Sequence, residues 1–325
     1  MKRFLLCVAL FVCACDGEEA AEQLTVVQDA ETTPDVESAS PLNSGWCVSN
    51  DPIELGQDNL FDACQDPALL ATPCGGRVNM LVIGGSGNPG DGLDVDGNSS
   101  TCAPSANCSE GIDNQLSILS SAAQDGVDEA LASGTLMLFL EFVSPPGGPG
   151  VFAMKMHVAR IDETDESCEW QEEVCLYRIR QDSYDDACTA PVVFDDVTVD
   201  EEGNFRAGEE GVEISLNIPL FGVSVSLPVR KARLEGVISW DNSGLVEGME
   251  GLLVGGIPKA ALVEAIDGIP AEEFEAGTSL DKATILAVIE DLIVNDLDLD
   301  GDGVFESASF GARVGAIPGV LAGWE

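Results

Sequence analysis

The chain has 325 residues, with 58 Asp and Glu against 14 Lys and Arg, a formal net charge of −44, and a 45% hydrophobic composition. Such a charge excludes nucleic acid and anionic lipid headgroups as direct electrostatic partners and favours cations. The apolar share is enough to bury a sizeable core, in one large or two small domains.

Lys2 and Arg3 open the chain, and Phe4 to Ala14 is an uninterrupted apolar run ending on a small residue. This is the layout of a secretory signal over residues 1–14. It is too short to span a bilayer, which takes ~20 apolar residues. The run closes on Val12-Cys13-Ala14-Cys15, which resembles the lipobox of bacterial lipoproteins. The resemblance implies that Cys15 receives a diacylglycerol and becomes the mature first residue; a cut elsewhere by the ordinary signal peptidase is the alternative. Two or more acyl chains anchor a protein stably where one binds only marginally. In such lipoproteins an Asp in the place of Asp16 retains the protein at the inner membrane in some lineages. The expected address is therefore the bacterial cell envelope, at the inner or the outer membrane.

No Lys or Arg occurs between Arg3 and Arg77, while Asp16, Glu18, Glu19, Glu22, Asp29, Glu31, Asp35 and Glu37 stand among Ala, Thr, Ser and Pro. Such a stretch buries too little to offset chain entropy, so residues 15–44 are expected to form a disordered, self-repelling tether. It would hold a body of residues 45–325 off the membrane. Cys47, Cys64, Cys74, Cys102, Cys108, Cys168, Cys175 and Cys188 remain once the signal and anchor are set aside. An even set in an exported chain predicts a disulfide framework, and the short Pro- and Asn-containing loop between Cys102 and Cys108 predicts that pair. Zinc fares poorly, because there is no CxxC and a single His. All these cysteines fall in residues 45–200; residues 201–325 must be held by packing and metal.

Val78 to Ile83 reads as a short strand ending in Gly84-Gly85-Ser86-Gly87. Asp91, Asp94, Asp96, Gly97 and Asn98 then alternate around a glycine, and Asp113 follows the Cys102 to Cys108 loop. The spacing resembles the aspartate-rich loops of thrombospondin type 3 repeats, and Asp94, Asp96, Asn98 and Asp113 form a candidate metal set if the small loop folds back. The turn preference of Asp, Asn and Gly accounts for the same residues without a metal.

From Gln115 to Ala132, Leu116, Leu119, Ala123, Val127, Ala130 and Leu131 recur at helical spacing, predicting an amphipathic helix loosened near Gly126. Leu136 to Val143 is almost wholly apolar, as a strand covered on both faces would be. In the next strand Phe152, Met154, Met156 and Val158 point to the core and Lys155, His157 and Ala159 toward water. Further strands are expected over 172–180, 191–199, 212–218, 223–229 and 234–240, with Pro219 and Pro228 marking edges or bulges. A short helix over 258–266 follows. Thr278 with Asp281 has capping-box spacing ahead of a helix with Ile285, Val288, Ile289, Leu292 and Ile293 on one face. Together these predict a mainly β chain with helical insertions: an antiparallel sandwich or barrel, disulfide-bonded.

Asp296, Asp298, Asp300, Asp302 and Gly303 precede Val304, Phe305, Glu306 and Ser309. Ca²⁺ takes six to eight oxygens at ~2.3–2.6 Å, and alternate residues of a tight loop aim carboxylates at one centre. The segment resembles the EF-hand loop. Registered from Asp298, the resemblance implies ligands from Asp298, Asp300, Asp302, the Val304 carbonyl, Glu306 and Ser309, with Ser309 where a bidentate Glu stands in that family. The residues after it alternate like a strand, so the expectation is a helix-loop-strand calcium site that clamps rather than opens. A solvated acidic turn is the alternative.

No catalytic constellation is visible. His157 stands alone, Gly85-Ser86-Gly87 lacks the GxSxG pattern, and no Walker loop or GxGxxG is present. Glu141, inside an apolar strand, is the one acid that burial would poise for proton transfer; a neighbouring Arg or an edge position is the commoner explanation of such an acid. The late strands, Gly255-Gly256-Ile257-Pro258 and the acidic loop resemble uncharacterised lipoproteins of Gram-negative bacteria, a likeness that implies placement and no mechanism. The expected role is a lipid-anchored, calcium-stabilised binding or structural module, its protein, glycan or apolar partner unspecified. A carrier holding an apolar ligand inside a barrel is the second reading, and a calcium-dependent glycan hydrolase the third.

Overall fold

Strand-forming alternation in this chain is interrupted by glycines and prolines at the turns, and the resulting strands close on themselves. The computed structural model describes residues 74–84, 92–98, 112–143, 148–165, 167–171, 173–180, 183, 192–220, 223–240, 246–270 and 281–324. The signal, Cys15, the tether and the Cys102–Cys108 pair lie outside the described residues. The strands are β1 (Cys74–Ile83), β2 (Leu138–Val143), β3 (Gly150–Ile161), β4 (Leu176–Ile179), β5 (Val192–Val199), β6 (Asn204–Leu220), β7 (Val223–Trp240), β8 (Val246–Pro258) and β9 (Ser307–Trp324). Pairing runs β1-β2-β3-β5-β6-β7-β8-β9 and back to β1, antiparallel throughout. Of the two architectures the sequence leaves open, the chain forms the closed barrel. β1 runs against β9 from the Cys74–Val320 pair to the Ile83–Ala312 pair, so the cysteine-bearing and cysteine-free parts share one sheet.

The alternation that predicts β6 and β7 fixes which face is inside. Ile214, Leu216, Val225, Leu227 and Val229 are buried in the core, while Ser215 and Ser226 hydrogen-bond to each other outside at 2.7 Å. The expected break between 229 and 234 is absent; β7 is one strand, bulged at Arg230–Arg233 where Lys231 takes φ 47°. β8 is a strand the sequence does not announce, because its glycines blur the alternation.

The barrel strands converge in one core that also takes in three helices, α1 (Ser120–Ser133), α2 (Lys259–Gly268) and α3 (Lys282–Leu292). A 3-10 turn, Gln115–Leu119, leads into α1, which runs through Gly126 without a break. α1 packs on β1 and β6, which lie across the ring from each other, so it covers one barrel opening with Val127 fully buried. At α3 the cap is Asp281 itself, whose carboxylate accepts the Thr284 N–H at 2.8 Å; Thr278 lies outside the described residues.

β4 pairs antiparallel with β3 and parallel with β9, laying a second layer outside the barrel. Phe139 and Tyr177 meet there with ring centroids 5.5 Å apart, beside the Cys168–Cys175 disulfide. This layer corrects the expectation that His157 and Ala159 face water. Ala159 packs under Tyr177 and Ile179, and His157 is only 1% exposed.

Candidate metal centre

The helix α3 ends at Leu292, and the chain rejoins the barrel wall at Ser307. In between, Leu297 and Ser307 form an antiparallel bridge. The Asp296 and Leu297 N–H groups donate to the Ser307 carbonyl at 2.9 and 3.0 Å, and the Glu306 N–H donates to that of Leu297 at 3.1 Å. This clasp closes 298–306 into a loop. Gly301 and Gly303 turn it with φ of 77° and 88°, a backbone region side-chain-bearing residues avoid.

Backbone donors then fix the acids. Asp298 accepts the N–H groups of Gly301 and Gly303, each at 2.8 Å. Asp300 accepts that of Asp302 at 3.0 Å, and Glu306 that of Leu299 at 2.8 Å. One oxygen from each of Asp298, Asp300 and Glu306 lies within 4.8 Å of the others. Ligand oxygens ~2.4 Å from a shared Ca²⁺ can be at most about twice that distance apart, so the span fits one ion.

Of the other sequence-predicted ligands, Asp302 lies outside this group and Ser309 is engaged with Asp296. Asp302 is exposed, and its carboxylate accepts the Val304 N–H at 2.8 Å; the Val304 side chain is 60% exposed. Ser309 is turned away from the loop because β9 has already begun. Its hydroxyl donates to Asp296 Oδ2 at 2.6 Å and accepts the Gln115 N–H at 2.6 Å, and its own N–H donates to Asp296 Oδ1 at 2.7 Å.

The earlier acidic loop is built the same way. Leu93 and Asp113 form a bridge, with the Asp113 N–H donating to the Leu93 carbonyl at 3.0 Å. The Val95 N–H donates to Asp113 Oδ2 at 2.8 Å, the Gly97 N–H to Asp94 at 2.7 Å and the Asn98 N–H to Asp96 at 2.8 Å. Oxygens of Asp94, Asp96 and Asp113 again lie within 4.8 Å of one another. Asp113 is wholly buried, and among the described residues none donates a hydrogen bond to its Oδ1. Burial raises its pKa most, the Val95 N–H lowers it, and the carboxylates of Asp96, Asp296 and Asp94 raise it again, leaving it at about 7.

The two loops, far apart in sequence, pack against each other. Val95 meets Leu297, Leu299 and Val254 in a small apolar cluster on the outer face of β8. Gly256 makes room for it: a Cβ there would come 3.0 Å from both Leu299 Cδ1 and Ser307 Cβ. Asp296, which the EF-hand register leaves out, sits at this seam. Burial raises its pKa, the Ser309 bonds lower it and the Asp96 carboxylate raises it, with a net upward shift. Its place two residues ahead of Asp298 in the alternating run is the only sequence signal it gives.

No family model matches the chain, and no curated protein or solved structure shows significant similarity to it. The reading of these loops therefore rests on their own geometry. A third group of possible ligands, Asp165 with Cys168 and Cys175, is discounted because both sulfurs are spent in the disulfide. Glu141, the acid singled out for proton transfer, is buried with His157 Nε2 at 2.9 Å and Lys155 Nζ at 3.8 Å. That arrangement is a buried ion network on the barrel's outer layer rather than an open cleft.

Proposed function

We propose that this protein is a lipid-anchored, calcium-stabilised binding or structural module of the bacterial cell envelope. The observation that carries the calcium reading is the 298–306 loop, where Asp298, Asp300 and Glu306 converge on a point fixed by the backbone. Among the described residues no Lys, Arg or His side chain forms an ion pair with these acids. Three carboxylates held this close repel one another, and a hard divalent cation relieves that repulsion while gaining ligands already in place. The envelope address is supported by the signal-like start and the Cys15 segment. A carrier reading gains less support, because side chains from all the barrel strands meet in one continuous core.

Ligand binding to the folded state raises stability by about 2.7 kcal/mol at a hundredfold excess over Kd. The full chain in detergent should therefore melt about 5 °C or more higher in millimolar calcium than in EDTA. Superimposable melting curves would remove the calcium reading.

A further inference from the structure

The half-buried cluster of Asp94, Asp96 and Asp113 contains a buried oxygen to which no described residue donates a hydrogen bond. Asp113 Oδ1 is buried and accepts no hydrogen bond from any described residue, although its sister oxygen is held by the Val95 N–H at 2.8 Å. Leaving a buried acceptor unsatisfied is costly, and for a carboxylate the cost is greater still. The oxygens of Asp94 and Asp96 converge with it within 4.8 Å, each of those acids also steadied by a backbone N–H. We propose that Asp94, Asp96 and Asp113 form a second Ca²⁺ centre, around the buried Asp113, that pins residues 92–98 and 112–115 to the start of β9.

The pinning follows from what surrounds the cluster. Gln115, two residues after Asp113, donates its N–H to the Ser309 hydroxyl, which in turn donates to Asp296. Asn114 reaches the Gly311 carbonyl at 3.5 Å. Val95 packs on Leu297 and Leu299. Arg233 donates to the Asp94 carbonyl at 2.6 Å, fixing the loop from the β7 side and leaving the Asp94 carboxylate to the cluster. An ion here would neutralise part of the charge that Asp94, Asp96, Asp113 and Asp296 bring to one seam, where residues 92–98 and 112–115 meet the cysteine-free part of the barrel.

The two centres can fail independently. In calcium titrations of the detergent-solubilised full chain, Asp113→Asn should lose one equivalent and keep the other, while Asp300→Asn should lose the opposite one. Asparagine at 113 removes the buried charge, so this variant should melt higher than wild type in EDTA and lower in calcium, a crossing that a merely misfolded variant would not give. Amide exchange of residues 112–117 should slow at least tenfold on adding calcium to Asp300→Asn and stay unchanged in Asp113→Asn. A wild-type titration with one equivalent that Asp300→Asn abolishes would overturn the second centre and leave the proposed function standing. One equivalent abolished by Asp113→Asn would support the second centre while the loop reading fails, and no binding at all would overturn both.

Discussion

At the scale of single residues, sequence spacing locates the acids well but not their allegiances. The loop brings Asp298, Asp300 and Glu306 together, whereas Asp302 of the same alternating run stays exposed and outside the group. Ser309 is misread, since only the fold shows that β9 has begun and that Asp296 takes both its donors. Asp162 shows the same limit. It is 1% exposed; burial raises its pKa, yet hydrogen bonds from Thr164 and Arg178 outweigh this and hold it below the usual carboxylate range. A lowered folded-state pKa gives stability that is complete above the unfolded value of about 4 and is lost as pH falls through the folded value. Wild type should therefore lose more stability than Asp162→Asn between about pH 5 and pH 2 in urea melts, and parallel losses would refute the role given to that carboxylate.

At the scale of elements, strands with clean alternation are readable and those that depend on partners are not. The second half of β6 and the first half of β7 follow directly from Ile214 to Val229, while the start of β6 at Asn204 does not. β8 does not, because Gly248, Gly251, Gly255 and Gly256 replace the side chains that would mark its faces. Gly251, Gly255 and Gly256 are needed where neighbours come close: Gly256 receives the acidic loop through Leu299 and Ser307. Valine at 256 would overpack that contact, and such insertions cost about 1–3 kcal/mol. Gly256→Val should lower the melting temperature and weaken calcium at 298–306 together; a lower melt with unchanged calcium affinity would mean the loop does not depend on its seat.

For the whole molecule, closure of the barrel is the step no local pattern announces, since it joins β1 to β9 across most of the chain. The burial of His157 is equally non-local, arising on a face where β4 adds an outer layer. The meeting of the 92–98 and 296–306 loops is a product of that closure, and it is what gathers Asp94, Asp96, Asp113 and Asp296 at one seam in a chain of net charge −44. Cations at this seam and in the loop beside it would offset the repulsion among these carboxylates. Anomalous diffraction from crystals of the protein grown with calcium and soaked in terbium should give one peak among Asp298, Asp300 and Glu306 and another among Asp94, Asp96 and Asp113. Ordered carboxylates at both places with no peak between them would contradict the calcium reading.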